Sequence, residues 1–240
     1  MTESEYSRQM AAVVAGLAPM LKERGFRKRR HSFNRASNDT VQVIDFQMAR
    51  PEVAPPRFTD EQKKELAEAR QRVLGPSMYG HFKVNLGVYI PAAAEVAAEV
   101  ARLTFDASDA AAARPAAWIN EYDCQIRNIS GELRHWRPLG ESPDQANADV
   151  RSLLDTEGLP WLESLPSTTG IIADWIAGRV PDMIGSPKPL IVILFALRGD
   201  RERAAQELAL AYVEAYEHRG HQQYLASLAD VLGLPLLALE

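Results

Sequence analysis

The sequence contains few of the residues that mark a secreted, zinc-binding or membrane protein. It has a single cysteine, Cys124, so it can form neither an intramolecular disulfide nor a site of the zinc-finger type. Its most apolar stretch, residues 190–197, is far shorter than the roughly 20 residues that span a bilayer. The first residues are acidic and polar, which is not the pattern of a secretory signal. We therefore expect a cytoplasmic protein without a membrane partner.

The common catalytic and cofactor motifs are also missing. Neither the G-x-G-x-x-G pattern of dinucleotide sites nor the G-x-x-x-x-G-K-[ST] pattern of phosphate-binding loops occurs, and G-x-S-x-G is absent. His218 and His221 lie near Glu214 and Glu217, but not in the H-E-x-x-H arrangement of zinc proteases. We assign no catalytic residue, metal or cofactor, and the sequence favours a protein that is not an enzyme.

Positive charge is concentrated near the amino terminus of an otherwise acidic chain. The formal net charge of the 240 residues is −5 at pH 7, which disfavours nucleic acid as the main partner. Between residues 22 and 35, however, Glu23 is the only acid among many bases. The densest part of this segment, called here the basic cluster, consists of Arg27, Lys28, Arg29 and Arg30.

Two interpretations of the basic cluster stay open. Clustered arginine creates a positive potential and donates paired hydrogen bonds, so the cluster can bind phosphate, nucleic acid or an acidic protein surface. The interpretation we favour is a solvated edge strand, whose charges prevent pairing with another sheet. Nucleic acid would require aromatic side chains among the charges for base stacking. The two nearby aromatics, Phe26 and Phe33, are expected in the core.

In the first part of the chain, apolar residues change from helical spacing to alternation. The pattern predicts a helix over residues 3–24 and a hairpin with strands at 29–35 and 40–48, joined by a turn at 37–39. The clearest strand covers residues 82–90, where every second side chain is apolar. A helix at 92–104 and a strand at 124–133 complete this part of the prediction.

From residue 141 onwards the pattern is helical. The segment 187–198 is ambiguous between a buried helix and a buried strand, and we assign it to a helix because a turn and a helix start follow it. The other predicted helices cover residues 143–156, 159–165, 168–178, 200–217 and 220–232. The sequence thus predicts an α+β fold, with an antiparallel sheet of about four or five strands flanked by helices in residues 1–140 and a helical part in 141–240 packed against it.

Residues 51–80 form a long connection between two predicted strands. Ordinary connections have about 4–6 residues, so this one is a lid, an interface element or an insertion. Thr59 and Gln62 have the spacing of a capping box, which predicts a short charged helix beginning there.

Polar side chains alternate with apolar ones along the central strands. Asp45, Gln47, Lys83, Asn85 and Arg127 are expected side by side on one face of the sheet. A carboxylate beside a lysine and an arginine can hold a polar ligand, so these five residues are candidates for a ligand site. The alternatives are a face that is simply solvated, as is common in antiparallel sheets, or polar groups that are buried and satisfied beneath the carboxyl-terminal helices.

Several of these segments resemble a bacterial family known only as domain-of-unknown-function family 4304. The resemblance covers about residues 15–140 and rests on Gly25-Phe26 followed by basic residues, Phe33, Arg35, Val43 to Gln47, and Asn85-Leu86-Gly87 within the strand at 82–88, extending more loosely to Arg127 and Trp136. The connection at 51–80 is longer than that pattern. The resemblance implies a bacterial cytoplasmic protein, and it carries no established catalytic residues.

These observations give three functional hypotheses in order of preference. The first is a non-enzymatic binding or protein-interaction module, which recognises a protein or a small polar ligand through the polar sheet face and the 51–80 segment. The second is an enzyme acting on a small anionic substrate, with Lys83 and Arg127 holding the anion and Asp45 as general base. The third is nucleic-acid binding through the basic hairpin.

Overall fold

The structure is a computed structural model, and the description that follows is confined to part of the chain. The described residues are 5–49, 59, 61–62, 64–65, 68, 79–104, 126–128, 137–139, 142–165, 167–178, 188–216 and 218–236. Cys124, Trp136 and most of the predicted strand at 124–133 lie outside these residues.

The described part of the chain contains both helices and strands, as expected of an α+β protein. The first part contains α1 (Glu5–Glu23), β1 (Arg27–Arg29), β2 (Ser32–Ser37), β3 (Thr40–Met48), β4 (His81–Tyr89), α2 (Pro91–Thr104), β5 (Ile126–Asn128) and β6 (Arg137–Pro138). The second part contains α3 (Pro143–Leu153), a π-helical turn (Leu154–Gly158), α4 (Leu159–Ser164), α5 (Thr168–Ile176), α6 (Lys188–Leu197), α7 (Arg201–Glu214) and α8 (Arg219–Leu232). The predicted fold class is confirmed.

All the described strands belong to one antiparallel sheet. Their order is β1-β2-β3-β4-β5, and the two-residue strand β6 also pairs with β4. The longest pairing joins β3 to β4, from Val41 opposite Tyr89 to Met48 opposite Phe82. Strands β1 to β4 therefore form a continuous meander, and β5 and β6 are short additions to β4.

The amino-terminal helix ends where the sequence predicts. One side of α1 is buried, with Val13, Leu17 and Leu21 at helical spacing. At its end Gly25 has φ +85°, a left-handed conformation. The amide of Gly25 donates to the carbonyl of Lys22 at 2.9 Å and that of Phe26 donates to the carbonyl of Leu21 at 3.0 Å. These two bonds form a Schellman cap, which directs the chain into β1.

The basic segment forms a hairpin where the sequence predicts a single strand over residues 29–35. The chain reverses at Arg30 and His31, and Arg29 pairs with Ser32 across the turn. Arg30 has φ +53°, a conformation that turns usually obtain from glycine or asparagine. The prediction was wrong here because no glycine, asparagine or proline marks this turn. The next turn, with Asn38 at φ +51°, lies where the sequence predicts.

A single large core joins the sheet to the helices on both sides of residue 140. From the sheet it includes Phe33, Ile44 and Phe82, which lie on the face that we call the core face. Residues 190–195 of α6 are all buried in the same core. The helical assignment of residues 187–198 is confirmed within the described range. It was ambiguous because a helix that is buried on every side shows no helical period.

Hydrogen bonds also cross from the first part of the chain to the second. Asn147 Nδ2 donates to the carbonyl of Val13 at 2.8 Å, which ties α3 to α1. Arg24 and Asp155 form an ion pair at 2.7 Å. Residues 1–140 and 141–240 are thus linked by direct bonds as well as by the shared core.

The capping box in the 51–80 connection is present. The amide of Thr59 donates to Gln62 Oε1 at 3.0 Å, and the amide of Gln62 donates to Thr59 Oγ1 at 3.2 Å. Residues 61–62, 64–65 and 68 are helical. The predicted helix start is confirmed, and most of the connection lies outside the described residues. Among the described helices, none combines the length and the apolar character needed to cross a membrane.

Gly80 provides a test of the packing between the amino terminus and β4. It has φ +86°, and an added Cβ would lie 2.8 Å from Tyr6 Cζ. We expect Gly80→Ala to lower the free energy of unfolding, because alanine would be strained at this φ and the Tyr6 ring would have to move. Gly199 also has positive φ, at +81°, but its surroundings are open.

The matched variant Gly199→Ala should therefore lower the free energy of unfolding by only about 1 kcal/mol, through conformational strain alone. Gly80→Ala should lower it further, by about 1 kcal/mol, because the half-buried Tyr6 ring must also shift. Chemical denaturation of both variants measures the difference. Equal losses would show that Tyr6 does not pack against Gly80 as described.

Candidate functional site

The basic cluster lies at the edge of the sheet and in solvent. All three residues of β1 are exposed, and so is Arg30 in the adjoining turn. β1 stands at one end of the strand order, where it pairs with β2. Short, charged strands are typical of sheet edges that do not pair with other chains. The location thus agrees with the edge-strand interpretation, and it leaves the four cations accessible.

The side chains of the basic cluster make no hydrogen bond or ion pair within the described part of the chain. Some exposed arginines elsewhere do have partners. Arg102 Nε donates to Glu99 at 2.9 Å, and this bond lowers the pKa of the Glu99 carboxyl and raises that of the Arg102 guanidinium. Arg24 pairs with Asp155. Four consecutive cations without an internal counter-ion form a surface suited to an external anion.

Arg30 occupies a backbone position that is unfavourable for it. Both two-residue turns of the meander begin with a left-handed residue, which is Asn38 in one and Arg30 in the other. Asparagine tolerates this conformation far better than arginine does. Local strain of this kind is concentrated at functional sites, where the side chain has a use that offsets its cost.

The base of the basic hairpin is held by Arg35. Its guanidinium stacks over the Phe26 ring at 4.5 Å from the centroid, and Nη1 donates to the carbonyl of Arg24 at 3.0 Å. Nε donates to Gln42 Oε1 at 2.8 Å, and Gln42 in turn donates to the carbonyl of Leu162 in α4. One chain of bonds thus joins the hairpin, the centre of the sheet and the carboxyl-terminal helices.

Gln42 is not among the site residues that the sequence predicts. The only available signal was its position. Gln42 is two residues from Ile44 and four from Phe46, so it lies with them on the core face, opposite Val88. A polar residue in an apolar series on a buried face needs hydrogen-bond partners. Gln42 is 1% exposed and has two.

The opposite face of the sheet brings together four of the five predicted ligand residues. Asp45 pairs with Asn85 and Gln47 pairs with Lys83 in the register of β3 and β4. We call these four residues and Ser32, whose hydroxyl donates to the Asp45 carboxylate, the polar face. The backbone of Arg127 in β5 lies opposite Gly87. Its side chain lies outside what the structure describes.

The polar face is not solvated as a bare sheet surface would be. Asp45 is 9% exposed and Asn85 is 2% exposed. The amide nitrogen of Asn85 lies 3.4 Å from Gln47 Oε1, and its Oδ1 has no hydrogen-bond partner among the described residues. The expectation of a solvated face was therefore wrong for the centre of the sheet. Asp45 is largely buried and its carboxylate already accepts from the Ser32 hydroxyl, so a substrate would have little access to it in this conformation.

Neither aromatic residue beside the basic cluster is available to nucleic acid. Phe26 and Phe33 are fully buried in the core, as the sequence predicts. Base stacking on exposed aromatic side chains is the usual source of affinity for single strands. In this hairpin that contribution would have to come from other groups.

The histidines near the carboxyl terminus do not share a helix face. α7 ends at Glu214 and α8 begins at Arg219, so His218 and His221 lie on opposite sides of a helix boundary. Among the described residues, no group of three or more His, Cys, Asp or Glu side chains is arranged to hold a metal ion.

Comparison with known families supports the resemblance found in the sequence. Residues 17–55 match the model of the family described as Domain of unknown function (DUF4304). This DUF4304 segment contains the basic hairpin, Arg35, Gln42 and Asp45, whereas Lys83 and Asn85 lie outside it. No curated protein and no solved structure matches the chain.

The link through Gln42 can be tested by its removal. In Gln42→Ala, Arg35 loses an acceptor and the carbonyl of Leu162 loses a donor at a buried site. We expect the free energy of unfolding to fall by about 1–3 kcal/mol. The control is Gln145→Ala, since Gln145 is exposed and its side chain bonds only the helical neighbour Asp149 in the described structure.

The control should change the free energy of unfolding by less than about 0.5 kcal/mol. Urea denaturation of the two variants provides the measurement. If Gln42→Ala were as harmless as Gln145→Ala, the bridge from the hairpin to α4 would not contribute to stability.

Proposed function

We propose that this protein is a non-enzymatic interaction module that binds an acidic protein surface through its basic cluster. The observation that carries the proposal is the set of four consecutive exposed cations with no counter-ion in the described chain. An acidic surface supplies that counter-charge and accepts the paired hydrogen bonds of arginine. The single cysteine and the DUF4304 resemblance support a site of action in the bacterial cytoplasm.

Protection of the sheet edge explains why β1 is charged, but it does not explain why an arginine occupies position 30 in the turn. A charged edge already prevents pairing with another sheet. Asparagine at position 30 would relieve the backbone, as it does at position 38. We therefore infer that the arginine at position 30 has a role outside the fold, and binding an anion is the role that its chemistry best supports.

The choice of an acidic protein over nucleic acid rests on charge and on burial. The whole chain is acidic, with a formal net charge of −5, so a long polyanion would be repelled by much of the surface. The neighbouring Phe26 and Phe33 are buried and cannot stack on bases. A small acidic patch on a protein needs contact only with the hairpin.

The polar face takes a smaller part in this proposal. Asp45 and Asn85 are buried, so the face offers a partner little surface at its centre. The same burial disfavours the enzyme hypothesis, in which a substrate must reach Asp45.

An oligoglutamate peptide provides a direct probe of the basic cluster. In fluorescence anisotropy at low salt, we expect it to bind the protein and to be released as salt rises, because exposed charges are screened. The double variant Arg29→Ala/Arg30→Ala should weaken binding about tenfold, as the loss of two exposed ion pairs implies.

The matched control is Arg203→Ala/Arg219→Ala. Both arginines are exposed, lie away from the hairpin in the chain and have no ion pair in the described structure. This variant removes the same charge and should bind the peptide as the wild type does. Equal weakening by both double variants would mean that net charge alone governs binding, and it would contradict a site at the basic cluster. Binding of duplex DNA or single-stranded RNA in preference to the peptide would overturn the choice of partner.

A second experiment separates stability from binding at Arg30. Arg30→Asn should raise the free energy of unfolding by about 0.5–1 kcal/mol, since asparagine relieves the left-handed backbone. The same variant should bind oligoglutamate more weakly. The reverse substitution in the other turn, Asn38→Arg, should destabilise the fold.

Thermal denaturation and peptide titration of these variants measure both effects. A variant Arg30→Asn that is more stable and binds normally would mean that Arg30 does not contact the partner. A variant that is less stable would show that the turn is not strained by its arginine.

A further inference from the structure

A crevice separate from the basic cluster lies where the two parts of the chain meet. Its volume is about 220 Å³, and it opens between the β2–β3 turn, the end of β4, the start of α5 and the end of α6. The lining residues that matter here are Asp39, Ile90, Thr168, Leu194, Leu197 and Arg198. Sites for drug-sized ligands have volumes of about 300–1,000 Å³, so this crevice suits a smaller molecule.

One side of the crevice is apolar. Ile90 and Leu194 are buried members of the main core and form its floor. Leu197 is 48% exposed. A short aliphatic group placed against Leu197 would remove this surface from water, which is favourable.

A fixed negative charge lies at another side. The carboxylate of Asp39 accepts from the amide of Thr168 at 3.1 Å and also from the hydroxyl of Thr168. These bonds hold the carboxylate at the start of α5. A carboxylate has about four acceptor positions, so Asp39 can still accept hydrogen bonds from a ligand ammonium group.

A positive charge is presented by the same crevice. Arg198 is exposed, and its side chain has no hydrogen bond or ion pair in the described structure. Its backbone is set by the end of α6, where Gly199 has φ +81° and the amide of Asp200 donates to the carbonyl of Phe195 at 3.0 Å. The guanidinium thus belongs to a well-defined helix end and remains available for a carboxylate.

We infer that this crevice binds a small zwitterion of the α-amino acid class with an aliphatic side chain. The ammonium group would bond the Asp39 carboxylate, and the carboxylate would take two hydrogen bonds from Arg198. The side chain would pack against Leu194 and Leu197. The two opposite charges and the apolar wall around a cavity of this volume select such a ligand over a plain anion or a larger molecule.

L-leucine is the probe, and isothermal titration calorimetry is the measurement. The wild type should bind L-leucine saturably. N-acetyl-L-leucine lacks the ammonium group, L-leucinamide lacks the carboxylate and glycine lacks the side chain, so each should bind at least about tenfold more weakly. No saturable binding of L-leucine, or equal binding of N-acetyl-L-leucine, would overturn the inference.

Two variants complete the test. Arg198→Gln should weaken L-leucine binding about tenfold, whereas Arg219→Gln, at an exposed arginine of α8, should leave it unchanged. The variant Arg29→Ala/Arg30→Ala should also bind L-leucine normally, because this site does not depend on the basic cluster. Unaltered binding by Arg198→Gln would contradict the assignment of the carboxylate contact.

Discussion

The arrangement of this protein depends on one buried amide, that of Gln42. It lies on the core face of β3, where the neighbouring positions hold apolar side chains, and it connects the guanidinium of Arg35 to the carbonyl of Leu162. A buried polar group is stable only when its partners are in place. The position of α4 against the sheet and the position of the basic hairpin are therefore set together.

This link also fixes the strand that carries the charged edge. Arg35 stacks on Phe26 and bonds the end of α1, so the strand next to β1 is fixed on its inner side. The basic cluster then extends from this support into solvent. The core face of the sheet thus holds the helices, while the outer edge at β1 carries the basic cluster.

Both proposed binding regions lie at turns of the same meander. The basic cluster surrounds the turn at Arg30, and the crevice uses Asp39 from the next turn together with the helical part. Turns are where a sheet can offer side chains to other molecules without disturbing its ladder of hydrogen bonds. The contact between Asp39 and Thr168 also shows how residues far apart in the chain are combined at a helix start.

The sequence by itself determined the fold class, α1 and its glycine cap, the alternating strands and the helical carboxyl-terminal part, because each of these follows from local periodicity and capping chemistry. It also placed Asp45, Gln47, Lys83 and Asn85 on one face, since strand alternation requires it. Only the tertiary structure decided that the centre of this face is buried, that the chain turns at Arg30 without a turn residue, and that Gln42 bonds Leu162. The turn at Arg30 escaped the sequence pattern because no residue typical of turns stands there. The burial of the polar face and the bond from Gln42 to Leu162 depend on which surfaces meet in space, and local periodicity contains no information about such contacts.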